Sequence, residues 1–154
     1  MSGEYRNIYK ICRKAAGITQ EAAAERLGVS VESIRAYETG VRVPPDDVVG
    51  LMSDLYNALH LIAWHVREKN AIYRRVVPEI QPRTVLEASV KINNRFDDFA
   101  TGNMLRRLLR IAEDNIVDST EMAEFYAILD SLNEISKAYL ELRCVQEVTE
   151  GDGV

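Results

Sequence analysis

Between Ser30 and Gly40 the chain carries Val31, Glu32, Arg35 and Ala36 at spacings that a helix turns outward, while Ile34 and Tyr37 fall three apart on the opposite side. A guanidinium can donate two parallel hydrogen bonds to guanine or grip a phosphate. A carboxylate can accept from the amino group of cytosine, and valine or alanine can pack on a thymine methyl. These residue types suit the reading of nucleobase edges, provided that a rigid element presents them; a merely solvated helix face is the plainer alternative. Arg42, just past Gly40, is either a cation for a phosphate or an ordinary surface arginine.

Presentation falls to two short helices and the turn between them. Thr19 has a hydroxyl able to accept from a free backbone N–H of the next turn, and Gly17 before it can end a preceding helix. Gln20 to Leu27 is a run of good helix formers that stops at Gly28, where a sharp turn needs positive φ. Ser30 then caps a third helix, and the small Ala23 and Ala24 let two short helices cross closely at a steep angle. Ile8, Ile11, Cys12 and Ala15 follow the spacing of an amphipathic helix over 4–16, and Arg6, Lys10, Arg13 and Lys14 share its polar side. Pro44-Pro45 blocks any helix from the left, after which Val48, Leu51, Met52 and Leu55 predict a fourth helix over 45–56. Leu59 to Val66 is apolar nearly all round and predicts a buried helix.

The segment Gly17-Ile18-Thr19-Gln20-Glu21, Gly28-Val29-Ser30 and Ile34 to Gly40 resembles the Xre-type, lambda-repressor-like helix-turn-helix family, with cap, small residue, turn glycine and second cap at the family's spacing. The resemblance implies a bundle of four or five helices whose third helix enters the DNA major groove. It carries the base-contacting positions onto Val31, Glu32 and Ser33 and onto Ala36, beside Arg35. It also places Gln20 at a phosphate clamp near a helix N-terminus. Phosphate contacts are expected from Thr19, Gln20, Ser30, Thr39, Arg42 and Arg13. Glu38 corresponds to a residue that ties the third helix to the scaffold. Ala23 stands where the family usually has leucine, so Tyr37 is expected to help fill the core, and Thr39 stands where many members have asparagine.

Past this segment, Asn70 to Pro82 contains Arg74-Arg75, Pro78 and Pro82 and reads as a linker, because the residue before each proline is driven to extended backbone. Thr84 can cap a helix carrying Val85, Ile92, Phe96, Phe99, Leu105, Leu108, Leu109 and Ile111, with a weak point at Gly102. Asp118 with Glu121 fits a capping box ahead of a heptad seam of Phe125, Ile128, Leu132, Ile135, Tyr139 and Leu142, widened by Tyr126, Leu129 and Leu140. An antiparallel pair, 83–114 against 119–146, dimerising into four helices satisfies both stripes. The reading is thus an all-α chain: a helix-turn-helix bundle over 1–68, a linker over 69–82, a long dimerising helical hairpin over 83–147 and a disordered tail over 148–154.

The chain has 154 residues and a net charge of −5, which opposes DNA at long range. Residues 1–58 hold seven basic side chains against eight acidic ones, so most of the negative charge lies beyond them. DNA affinity is therefore expected to depend on pairing two heads. Other chemistry finds no constellation. His60 and His65 are five apart and do not share a helix face as metal ligands would, and Cys12 and Cys144 read as reduced structural thiols. The acidic run Glu113 to Glu121 lacks the alternating ligands and central glycine of a calcium loop. No phosphate-binding glycine loop or nucleophile with its base is present, so neither an enzyme nor a cofactor or metal is expected. Without an apolar run of membrane length or a signal-peptide pattern, the protein is expected in the cytoplasm and off the membrane. The expected partners are double-stranded DNA and a second copy. The alternative is an antitoxin-like or interaction module whose helical C-terminal region binds a protein.

Overall fold

The computed structural model describes residues 7–145, and every regular element among them is helical. They divide into two compact units, 7–80 and 81–145.

The first unit contains α1 (Ile8–Ala15), α2 (Gln20–Leu27), α3 (Val31–Glu38), α4 (Asp46–Leu55) and α5 (His60–Lys69). Its caps follow local chemistry. The side chains of Asn7, Thr19 and Ser30 accept from Lys10, Ala22 and Ser33 backbone N–H groups, and Gly28 closes α2 at φ 66°. The core gathers Ile8, Cys12, Ala23, Ile34, Tyr37, Val49, Met52, Leu61 and Trp64. Ala23 is fully buried and Tyr37 is 5% exposed.

Three readings of this unit shift. On α1 the inward side is Ile8, Tyr9, Cys12 and Arg13, while Ile11 is exposed; the start at residue 4 and Arg6 lie outside the described residues. On α4 the buried residues are Val49, Met52 and Ser53, while Val48 and Leu55 are half-buried and Leu51 is exposed; Ser53 Oγ donates to the Ala58 carbonyl at 3.1 Å. Helix α5 is not apolar all round in its setting, since Ile62 faces solvent.

The largest difference concerns the expected linker 69–82. As far as Ile80 it packs onto the first unit. The Trp64 Nε1–H donates to the Ile80 carbonyl at 2.9 Å, and Ile80 is completely buried. Arg67 donates to the Val77 carbonyl, and Arg74 Nε to the Arg67 carbonyl at 3.2 Å across a 3-10 turn, Ala71–Arg75. Prolines stop helices, but extended backbone can still be buried if its carbonyls find donors. The boundary matters for charge: residues 7–80 carry ten basic side chains against nine acidic ones, a net +1.

The second unit contains α6 (Val85–Thr101), α7 (Met104–Ile111), a 3-10 turn (Ala112–Asp114) and α8 (Met122–Arg143). A capping box between Thr84 and Glu87 starts α6. The expected long first arm breaks at Gly102-Asn103. A Cβ at Gly102 would lie 3.0 Å from the Met104 Cε and 3.2 Å from the Asp98 carbonyl oxygen, and Asn103 takes φ 50°. Asp118 Oδ1 accepts from the Thr120 and Glu121 backbone N–H groups one turn ahead of α8.

Helices α6 and α8 run antiparallel, as their ion pairs attest: Arg83 and Lys91 meet Glu141 at 2.5 and 2.6 Å, and Arg95 lies 3.8 Å from Glu134. The Glu141 residue is 1% exposed. Burial pushes its carboxyl up, but hydrogen bonds from Lys91, Arg83 and the Gln81 backbone bring it below the usual glutamate value.

The seam assigned to dimerisation divides. Ile128 is completely buried inside this unit, and Ile135 and Leu142 lie half-buried on its side of α8 with Ala138. Those three serve the hairpin's own interior. Leu132 and Tyr139 belong to a different line that is exposed together with Met122 and Leu129, and Phe125 on that line is half-buried; Leu132 is 37% and Tyr139 54% exposed. The tail, 148–154, lies outside the described residues. No helix among the described residues is long and apolar enough to cross a membrane.

Candidate nucleic-acid interface

Helices α1 and α3 are locked together by a buried ion pair. Arg13 of α1 donates from Nε and Nη2 to the two carboxylate oxygens of Glu38 at 2.5 and 2.9 Å, and from Nη1 to the Ile18 carbonyl at 2.7 Å. A two-pronged pair of this kind fixes orientation as well as distance. Burial raises the Glu38 carboxyl, yet the hydrogen bonds from Arg13 and Gln20 and the charge of Arg13 outweigh it, so the group lies below its ordinary value. The same hydrogen bond holds the Arg13 guanidinium above its own. Asn7 adds a second tie, its amide donating to the Tyr37 carbonyl at 2.8 Å.

This geometry corrects one assignment. Arg13 cannot reach a phosphate, because its side chain is 9% exposed and its guanidinium is engaged inside the fold.

The outward side of α3 is laid out as helical geometry requires. Glu32 and Arg35 are exposed, and Val31, Ser33 and Ala36 are half-buried along the same surface. The Ser33 hydroxyl is engaged on two sides, 2.9 Å from Ser30 Oγ and accepting from Arg42 Nη2 at 2.7 Å. Arg42 also lies over the Tyr37 ring, 5.0 Å from its centroid, a cation–π contact that sets the guanidinium beside α3. The Thr39 hydroxyl donates to the Arg35 carbonyl at 2.8 Å, so it would have to leave its own helix to donate to a phosphate.

At the start of α2, Thr19 Oγ1 accepts from the Ala22 N–H, leaving its own O–H to donate outward. Gln20 Nε2 donates to Glu38 at 2.9 Å, while its Oε1 accepts from Arg35 Nε at 3.5 Å. Glu38 thus orients Gln20, and Gln20 in turn touches Arg35. The structure brings Thr19, Gln20, Arg35 and Arg42 to the exposed side of one helix pair and removes Arg13 from it.

A second chain of contacts, with no signature in the sequence, links α1, α5 and α4. The Tyr9 hydroxyl lies 2.7 Å from His65 Nδ1, His65 Nε2 lies 3.0 Å from Asp46 Oδ1, and Lys69 Nζ donates to the same oxygen at 2.6 Å. Lys69 and then His65 hold the Asp46 carboxyl below its usual value. These links span up to 56 positions of sequence and follow no local spacing. No group of His, Cys, Asp or Glu among the described residues is arranged to hold a metal ion.

Comparison with known proteins agrees with the geometry. Residues 10–62 match the family model for the helix-turn-helix, which is about a third of the chain. Neither the curated proteins nor the solved structures yield a match. The match spans α1 to the start of α5 and includes both caps, the Gly28 turn and the whole of α3. Residues 10–62 thus match a helix-turn-helix family model of the lambda-repressor-like, Xre type, a family of DNA-binding domains.

Proposed function

We propose that the protein is a cytoplasmic, sequence-specific DNA-binding transcriptional regulator, a dimeric repressor that sets two α3 helices in successive major grooves about 34 Å apart. The observation that carries the reading is the outward side of α3, with Glu32 and Arg35 exposed on a helix whose back is fixed by the Arg13–Glu38 pair. Residues 7–80 carry a net +1, so the negative charge of the chain lies outside the part that would face DNA. Footprinting on the DNA upstream of the protein's own gene tests this directly. Protection of a site with two half-sites is expected, and a folded dimer that protects nothing at low salt refutes it.

Within that reading, Arg35 discriminates bases and Gln20 grips the backbone. Arg35→Ala is expected to lower the preference for a specific over a scrambled duplex by about 1–3 kcal/mol, whereas Gln20→Ala weakens binding to both about equally. Titration of both variants at one salt concentration separates the roles. Parallel losses on the two duplexes for Arg35→Ala would show that it reads no base.

A second reading places the function in residues 81–145, as an antitoxin-like module. Its support is the run of exposed apolar side chains on α6 and α8, including Val85, Phe96, Leu129 and Tyr139. Purification from the native cell with a stoichiometric second protein and no DNA would favour it.

A further inference from the structure

Behind the C-terminal end of α3 lies an open hollow of about 420 Å³. Tyr9, Tyr37, Arg42, Lys69 and Arg74 line it together with one acidic residue, Glu68. Its three cations come from three separate elements: the loop after α3, the end of α5 and the 3-10 turn. Each is held in place. Arg42 is fixed by Ser33 and the Tyr37 ring, Lys69 by Asp46, and Arg74 through its Nε on the Arg67 carbonyl. The two terminal nitrogens of Arg74 make no other hydrogen bond among the described residues. Three cations against the Glu68 carboxylate and the Asp46 carboxylate paired with Lys69 leave one positive charge in excess, which an anion would neutralise.

We infer that this hollow takes a backbone phosphate of the bound duplex, with Arg74 and Lys69 extending the contact begun by Arg42. The inference rests on the DNA-binding reading above and adds to it a contact made from outside the helix-turn-helix segment. The occupant follows from position. Gly40 and Val43, in the loop directly after α3, also line the hollow, and the strands bordering a groove that receives α3 pass the ends of that helix. A planar guanidinium fork suits a phosphate, and the stem of Lys69 supplies a second, point-like charge.

The test is the salt dependence of duplex binding by the full chain. Loss of one phosphate contact makes the slope of log K against log salt shallower by about 0.9, which is about eightfold in affinity over one decade of salt. Arg74→Ala is expected to show that change on specific and scrambled duplexes alike, and Arg74→Lys to restore most of it because the charge returns. An Arg74→Ala protein that binds with the wild-type slope overturns the inference while leaving the DNA-binding reading intact. A wild-type chain that binds no duplex overturns both. A loss shared equally by Arg74→Ala and Arg74→Lys would mark Arg74 as a brace for Arg67 and would also overturn it.

Discussion

Glu38→Ala is expected to destabilise residues 7–80 by about 3–5 kcal/mol, the range seen when one member of a buried ion pair is removed. The Glu38 side chain is 3% exposed and receives hydrogen bonds from Arg13 and Gln20, so its removal leaves the Arg13 guanidinium inside the fold with only the Ile18 carbonyl. The chain has a single tryptophan, and Trp64 lies in this unit, so its fluorescence during urea unfolding follows the affected part. The pair also gives stability a pH dependence of definite sign. Because the folded Glu38 lies below its ordinary value, its contribution is complete above the unfolded value of about 4.3 and is lost as pH falls through the lower folded value. Wild type should therefore lose urea resistance steeply below about pH 4, and Glu38→Gln, uncharged throughout, should lose less over the same range. A Glu38→Ala midpoint within error of wild type would mean that water reaches and solvates Arg13.

Much of this was legible where the cause is local. Thr19, Gly28 and Ser30 act on N–H groups and dihedrals within three residues of themselves, so their roles can be read directly from the chain. The place of Glu38 as a tie was also readable from the family spacing, but its partner was not. Arg13 lies 25 positions away, and nothing in a charged residue on a short helix announces that it turns inward. The segment 69–80 failed for a related reason. Pro78 and the Pro82 just beyond argue against a helix there, yet what decides between linker and packed strap is whether a donor such as the Trp64 indole waits for the Ile80 carbonyl.

The hairpin posed a problem of register. Alternating steps of three and four were plain along α8, but the helix carries two such lines. Ile128, Ser131, Ile135, Ala138 and Leu142 form one, and Met122, Phe125, Leu129, Leu132, Ser136 and Tyr139 form the other. Spacing alone does not say which line faces α6. The answer comes from Glu141, drawn into the interior by Arg83 and Lys91 at the far end of the unit, which selects the first line as the inner one.

That choice leaves a definite outer face, and Leu132→Glu is expected to turn a dimer into a monomer. On α6, Val85, Ser89, Ile92, Phe96 and Phe99 repeat the same alternation, with Val85 60% and Phe96 55% exposed. Beyond it Phe99, Leu105 and Leu109 line an open hollow of about 420 Å³. On α6 the buried Ala88 and the half-buried Arg95 mark the inner line. Each outer line lies roughly a quarter turn past its helix's inner line in the same rotational sense, and because the helices run antiparallel the two lines fall on the same side. A two-helix apolar side with heptad spacing can pair with its own copy about a two-fold axis, and the proposed dimer would cover it by forming four helices. Leu132 is already 37% exposed, so a glutamate there stays solvated in the monomer, whereas in the dimer it would be buried without a partner. Pairing also raises affinity for two half-sites by making the second contact intramolecular. The variant should therefore bind such an operator about 100-fold or more weakly while a single half-site is bound as before. Phe96→Glu on the neighbouring helix should do the same. Sedimentation equilibrium and duplex titration on one sample decide the matter: variants that stay dimeric move the interface off this face, and monomers that hold two half-sites at wild-type strength separate dimerisation from DNA binding.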